Sequence, residues 1–191
     1  MKSFILALVL ISMLGTAHAA QPGSYPEAGD PFPNLPLQGD ISSAQQEFLG
    51  LQAEETRDLA SIDADAVLIE FFSMYCPFCQ SEAPDVNVLF EMVESETFCR
   101  DLKMIGIGVG NTQFEVDFFQ NKYEVPFPLF TDQDFIVIDQ VGQVGTPYFV
   151  LVELSDQGEH QTLLSNMGPF DSPETFLKEV RSALCPDDPG K

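Results

Sequence analysis

The sequence predicts an α/β sandwich: a mixed central sheet flanked by helices. Two observations carry this. Continuous apolar runs alternate with helical patterns from Ala66 to Val141, which argues for strands joined by helical crossovers. Two more strands separated by a turn, and then a helix, close the chain and add antiparallel pairing to the same sheet. A length of 191 residues fits one domain with extensions.

Residues 1–19 read as a signal peptide. Lys2 supplies the positive start, Phe4 to Leu14 the apolar stretch, and Ala17-His18-Ala19 the small-residue cleavage site. The apolar stretch is short for a membrane span, and no cysteine near the cleavage point could take a lipid, so no membrane anchor is expected. A buried N-terminal helix is the competing reading. Export would place the protein in an oxidising, periplasmic or otherwise extracytoplasmic compartment.

Residues 20–40 carry Pro22, Gly23, Pro26, Gly29, Pro31, Pro33, Pro36 and Gly39, and read as an extended lead-in with little regular structure. The domain proper is expected over residues 41–186, with an acidic tail at 187–191. Ser42 to Phe48 suggests a short helix, and Glu54 to Leu59 a strand or turn.

Ala66 to Ser73 reads as a buried strand. Pro77 to about Glu96 reads as a helix with Val86, Leu89, Phe90 and Val93 on one face, kinked at Pro84. Leu102 to Val109 is a second buried strand. Thr112-Gln113-Phe114-Glu115 is a capping box that opens a helix to about Tyr123. Phe127 to Phe130 predicts a short strand, and Asp134 to Val141 a short helix. Tyr148 to Leu154 and Gln161 to Ser165 are strands joined by a turn at residues 156–159. Ser172 and Pro173 open a final helix with Phe176, Leu177, Val180 and Leu184 as its apolar stripe.

The formal net charge is −22. So acidic a surface disfavours nucleic acid and anionic membrane as partners. It fits basic partners, and equally fits plain solubility.

The chemistry concentrates at Cys76-Pro77-Phe78-Cys79, placed directly between a strand and a helix. A cysteine at a helix N-terminus has its thiolate stabilised by unpaired N–H groups and the positive end of the dipole. A second cysteine three residues on lies on the same helical face and can close a disulfide with the first. The spacing therefore points to thiol–disulfide exchange. A zinc site would need two more ligands, and His160, Cys99 and Cys185 lack ligand spacing. Gln80 stands where c-type haem attachment requires a histidine. No metal and no cofactor are expected.

Three elements together resemble the thioredoxin fold, and specifically its exported TlpA/ResA-like branch. They are the strand–CxxC–helix unit from Val67 to Val93, the acid Glu70 six residues before Cys76, and Gly145-Thr146-Pro147-Tyr148-Phe149. Ile105 to Val109 with Phe127-Pro128-Leu129 is similar to that branch's extra strand–helix insertion before the cis-proline loop. Glu70 to Pro77 itself looks like the DsbA type. Departures are the absence of tryptophan, with Tyr75 before the first cysteine, and a Pro-Phe dipeptide between the cysteines.

The resemblance implies roles. Cys76 attacks, Cys79 resolves the mixed disulfide, and Glu70, a buried acid, moves the proton for Cys79. A satisfied structural glutamate is the alternative for Glu70. Thr146 and Pro147, the latter cis, would present backbone to an extended substrate beside Cys76, with Tyr75 alongside; an ordinary turn proline is the alternative. In this fold the CxxC helix and the last helix end side by side, so Cys99 and Cys185 would form a structural disulfide, with a second redox pair or free thiols as rivals. Substrates would be protein thiols and disulfides, and the electron donor or acceptor a membrane protein. Phe78 carries no charge to stabilise a thiolate, which favours a reductase over a DsbA-like oxidase. Ser73, three residues before Cys76, keeps a thiol peroxidase open, and a non-catalytic binding or chaperone module is the remaining class.

Overall fold

The computed structural model describes residues 25–52, 57–142 and 144–187. The signal-peptide expectation, the predicted start of the 54–59 segment and the tail beyond Asp187 lie outside the described residues. The elements are β1 (Pro31–Phe32), α1 (Ser43–Phe48), β2 (Ala66–Phe72), α2 (Pro77–Ser95), β3 (Leu102–Val109), α3 (Gln113–Tyr123), β4 (Leu129–Asp132), α4 (Ile136–Val141), β5 (Tyr148–Glu153), β6 (His160–Met167) and α5 (Pro173–Leu184), with a 3-10 turn at Leu59–Ser61.

The six strands form one mixed sheet in the order β1-β6-β5-β2-β3-β4. β2, β3 and β4 run parallel, joined by α2 and α3, while β5 and β6 pair antiparallel beside β2. This is the thioredoxin-like arrangement. β2 is central and wholly buried because both of its faces are covered. Its period of two sends Ala66, Leu68 and Phe72 into the layer beneath α2 and α5, and Val67, Ile69 and Phe71 into the opposite layer. Glu70 shares the alternation of the first set.

Side-chain caps fix the helix starts. Ser42 and Gln45, and Thr112 and Glu115, form reciprocal capping boxes at α1 and α3. At the last helix Ser172 accepts the Thr175 N–H, ahead of Pro173. The α5 stripe Phe176, Leu177, Val180 and Leu184 is buried as its spacing requires.

Three elements differ from their sequence expectation: β6, which spans His160–Met167 rather than Gln161 to Ser165, and two others. β4 covers Leu129–Asp132 rather than Phe127 to Phe130. The Gln120 side chain donates to the Val125 and Phe127 carbonyls, so α3 and not the sheet holds that stretch. α4 begins at Ile136 rather than Asp134, because the Asp132 carboxylate accepts the Val137 and Ile138 N–H groups and Phe135 adopts φ +59°.

The described part of the lead-in belongs to the folded body: Tyr25 packs on Tyr148, and the Gly29 N–H donates to the Thr162 carbonyl of β6 at 2.8 Å. Pro31–Phe32 pairs with β6 at one sheet edge, and Gln38 bridges Thr131 of β4 at the other. Phe32, Leu35 and Leu37 along this path are buried in the layer that also contains Val137 and Val141 of α4. Its prolines suit this extended path, and its three apolar residues make the path part of the core.

Candidate active site

β2 delivers the chain to the turn Ser73-Met74-Tyr75, and that turn is tied down by side chains. Asn111, fully buried after β3, accepts the Met74 N–H on Oδ1 at 2.8 Å and donates from Nδ2 to Ser73 Oγ at 3.4 Å. Gln80 reaches back to donate to the Met74 carbonyl at 2.7 Å. Cys76 N–H closes the turn on the Ser73 carbonyl at 3.0 Å.

Cys76 is therefore the N-cap of α2, and Pro77 is its first residue, where a missing N–H leaves no bond unmade. The Cys79 N–H points at Cys76 Sγ, 3.4 Å away. Cys76 is half-buried and Cys79 fully buried, and both are free thiols. Partial burial by itself raises the Cys76 thiol. Hydrogen bonds to its sulfur, the Cys79 N–H foremost, outweigh that and leave it lowered from its ordinary value. Cys79 is driven strongly the other way by burial and by its hydrogen bond to Cys76. One thiol is poised to ionise and the other to stay protonated.

The Thr146–Pro147 peptide is cis. The Cys76 thiol donates to the Thr146 carbonyl at 3.1 Å, across 70 positions of sequence. The Pro147 carbonyl is occupied by the Gly168 N–H at 2.9 Å. Tyr75 is largely exposed, and its hydroxyl donates to the Glu115 carboxylate.

Glu70 lies in the middle strand between Gly106 and Phe149. Burial pushes its carboxyl up to about 8, with Glu82 and Cys76 adding to the rise. It acts electrostatically on Cys79 in turn. Glu82, one turn past Cys79 on the buried side of α2, has its own carboxyl raised by burial. One Glu82 oxygen accepts the Phe170 N–H at 2.8 Å; the other is buried without a hydrogen-bond partner among the described residues. The site thus holds two thiols and two buried carboxyls. Among the described residues no cluster of three or more His, Cys, Asp or Glu could hold a metal ion.

Cys99 and Cys185 are joined by a disulfide with a Cα–Cα distance of 6.0 Å, at the adjoining ends of α2 and α5. An Arg181–Glu96 ion pair lies beside it. This is the end of the sheet away from Cys76.

Sequence reasoning misses Glu82 and Asn111. Glu82 carries a signal: an acid three residues after Cys79, in register with the apolar stripe of its helix. Asn111 carries none, since its partners are 37 and 38 residues away in sequence.

The chain is similar to known proteins in sequence and in fold. Thiol-disulfide oxidoreductase ResA of Oceanobacillus iheyensis is 22% identical over 129 residues, covering 66% of this chain and 63% of that protein. The protein of the same name from Halalkalibacterium halodurans is 25% identical over 105 residues, covering 55% and 56%. The chain thus spans less than two thirds of the length of these relatives. A putative protein disulfide isomerase from Bacteroides thetaiotaomicron superposes with a TM-score of 0.62 at 16% identity, over 86% of this chain and 94% of that one. A putative thiol:disulfide interchange protein DsbE from Chlorobium tepidum gives 0.62 at 16% identity, over 83% and 99%. These two likenesses show the thioredoxin-like fold. The AhpC/TSA family matches residues 28–166, which contain both cysteines, both buried acids and the cis-proline loop, and the chain belongs to that family.

Proposed function

We propose that this protein is an exported thiol–disulfide oxidoreductase acting on protein substrates through the Cys76–Cys79 pair. The observation that carries the reading is the opposed poise of the two thiols: Cys76 lowered and accessible, Cys79 raised and buried. A nucleophile must be ionised to attack, whereas a resolving thiol must stay quiet until the mixed disulfide has formed.

In the reducing direction, the Cys76 thiolate attacks one sulfur of a substrate disulfide. A Cys76–substrate bond forms, and the other substrate sulfur leaves as a thiolate. Glu70, as carboxylate, takes the Cys79 proton, and Cys79 Sγ attacks Cys76 Sγ. The second substrate sulfur is released, two electrons have passed to the substrate, and the protein holds a Cys76–Cys79 disulfide. Oxidation of a substrate is the same path reversed. The Thr146 carbonyl and cis-Pro147 border the thiol and are placed to accept an extended substrate backbone, as strand addition requires.

Reduction is the favoured direction, since uncharged Phe78 supplies no charge to hold the Cys76 thiolate. A dedicated electron supply is then needed, and a membrane protein is its proposed source. Export is supported by the N-terminal pattern and by the Cys99–Cys185 disulfide, a bond that persists in oxidising compartments. No helix among the described residues is long and apolar enough to cross a membrane.

A thiol peroxidase finds less support. Ser73 Oγ is turned to Asn111, and the three arginines face the Gly39 carbonyl, Glu153 and Glu96 rather than the cysteine.

Equilibration of the pair against defined thiol–disulfide buffers tests the reading. A reductase is expected near the thioredoxin potential of about −270 mV, and an oxidase near the DsbA value of about −120 mV. A pair that does not exchange in any buffer overturns the catalytic reading in favour of a binding module.

A further inference from the structure

The surface beside Cys76 carries aromatic side chains that the exchange chemistry does not use. Tyr75 is 64% exposed and Phe78 63%, and they flank the cysteine. The Tyr75–Glu115 hydrogen bond brings Tyr75 against the first turn of α3. Phe114, next to Glu115, is 76% exposed, and Phe118, four residues on along the same helical face, is 46% exposed. A stripe of large apolar groups therefore leaves the active site along α3. Exposed aromatic groups gathered beside a reactive cysteine in this way point to an interaction site.

The charge around this stripe is predominantly acidic, with one lysine, Lys122, over the Phe118 ring at its distal end. Glu115 and Asp117 sit within it on α3. Six lysines and arginines fall among the described residues. Arg100, Lys103 and Arg181 are paired with Glu153, Asp101 and Glu96 at the far end of the sheet. Lys103 and Glu153 lie opposite Val67 and Ala66 at the start of β2, whose seven residues separate them from the cysteine turn by roughly 20 Å. Lys122 stacks on Phe118 and Tyr123 at the distal end of α3, and Arg57 donates to the Gly39 carbonyl. Lys178 belongs to α5.

We propose that the stripe Tyr75–Phe114–Phe118 is the docking surface for the protein substrate, and that this substrate presents a cationic, apolar segment, with lysine or arginine beside its cysteine. The proposal rests on the oxidoreductase reading and adds the chemistry of the partner. Complementary charge steers encounter, and the aromatic groups supply the buried contact once the partner has arrived. A second copy of this chain is a poor occupant, because two chains with a formal charge of −22 repel.

The test compares two disulfide-bonded peptides of identical apolar sequence, one with lysines and one with glutamates flanking the cysteines, and hydroxyethyl disulfide as a small neutral probe. Reduced full-length protein is mixed with each, and its dithiol is oxidised as the probe disulfide is reduced. The lysine peptide is expected to react about tenfold faster than the glutamate peptide at low salt, with the ratio collapsing at high salt. Phe114→Ser with Phe118→Ser should lower the lysine-peptide rate several-fold more than the hydroxyethyl disulfide rate. Equal rates for the two peptides, with hydroxyethyl disulfide still reduced, overturn the docking proposal alone. No reduction of any probe overturns the oxidoreductase reading beneath it. A concentration-dependent dimer in sedimentation, lost in the double variant, would assign the stripe to a second copy and overturn the proposal as well.

Discussion

The Oδ1 of Asn111 accepts the Met74 N–H at 2.8 Å, and this bond ties the loop after β3 to the turn that presents Cys76. The two partners follow neighbouring parallel strands, β2 and β3, so the contact couples the sheet to the cysteine turn. Asn111→Ala leaves a part-buried N–H without its acceptor, a cost of about 1–3 kcal/mol. The melting temperature is expected to fall, and the Cys76 thiol pKa, read from the pH dependence of alkylation, to rise as the turn loosens. An unchanged pKa in a variant that melts earlier would give Asn111 a purely structural role.

Glu70→Gln isolates the buried acid. The folded carboxyl keeps its proton up to about 8 against an ordinary value of 4.5. Between those values the folded state binds more protons than the unfolded state, so this group's contribution to stability declines as pH rises through that window. The difference across the window is about 4–5 kcal/mol, and the glutamine variant should lack it. Urea unfolding at pH 5 and pH 8 reads this directly. Resolution of a Cys76 mixed disulfide by Cys79 should also slow in the variant and lose its pH dependence near neutrality.

The Cys99–Cys185 bond closes a loop with a sequence separation of 86. Replacing both residues by serine should lower stability by about 4–5 kcal/mol, as loop-closure entropy is returned to the unfolded chain. Alkylation of Cys76 should proceed at the wild-type rate, because the disulfide lies at the other end of α2. Wild-type stability in the double variant would count against a structural role for this pair.

Gly106 shows how closely β3 and β4 pack. A Cβ there would stand 2.4 Å from Leu129 Cδ2. Gly106→Ala should destabilise by about 1–3 kcal/mol through overpacking. Leu129→Ala should cost less in the Gly106→Ala background than in the wild type, a coupling that a double-mutant cycle measures.

Much of the candidate site is legible in the sequence for a local reason. Strand, turn, Cys76 and helix are contiguous, so the N-cap geometry that lowers one thiol and buries the other is written into residues 66–95. The capping residues Ser42, Thr112 and Ser172 are equally plain, because a cap is completed within four residues. Glu70 is visible as an acid inside an apolar run. The expected β4 starts two residues early because its limit depends on Gln120, which lies in another element.

The sequence by itself determined the α/β class, the order of its elements and the cysteine pair as the candidate chemical centre. These depend on periodicity and on contacts between near neighbours. Tertiary structure alone decided that Asn111 clamps the cysteine turn and that Glu82 joins Glu70 beneath it. It also decided that the proline-rich lead-in crosses the sheet and enters the core. Each of these contacts joins residues far apart in the chain, and no local pattern records a partner brought near only when the sheet has formed.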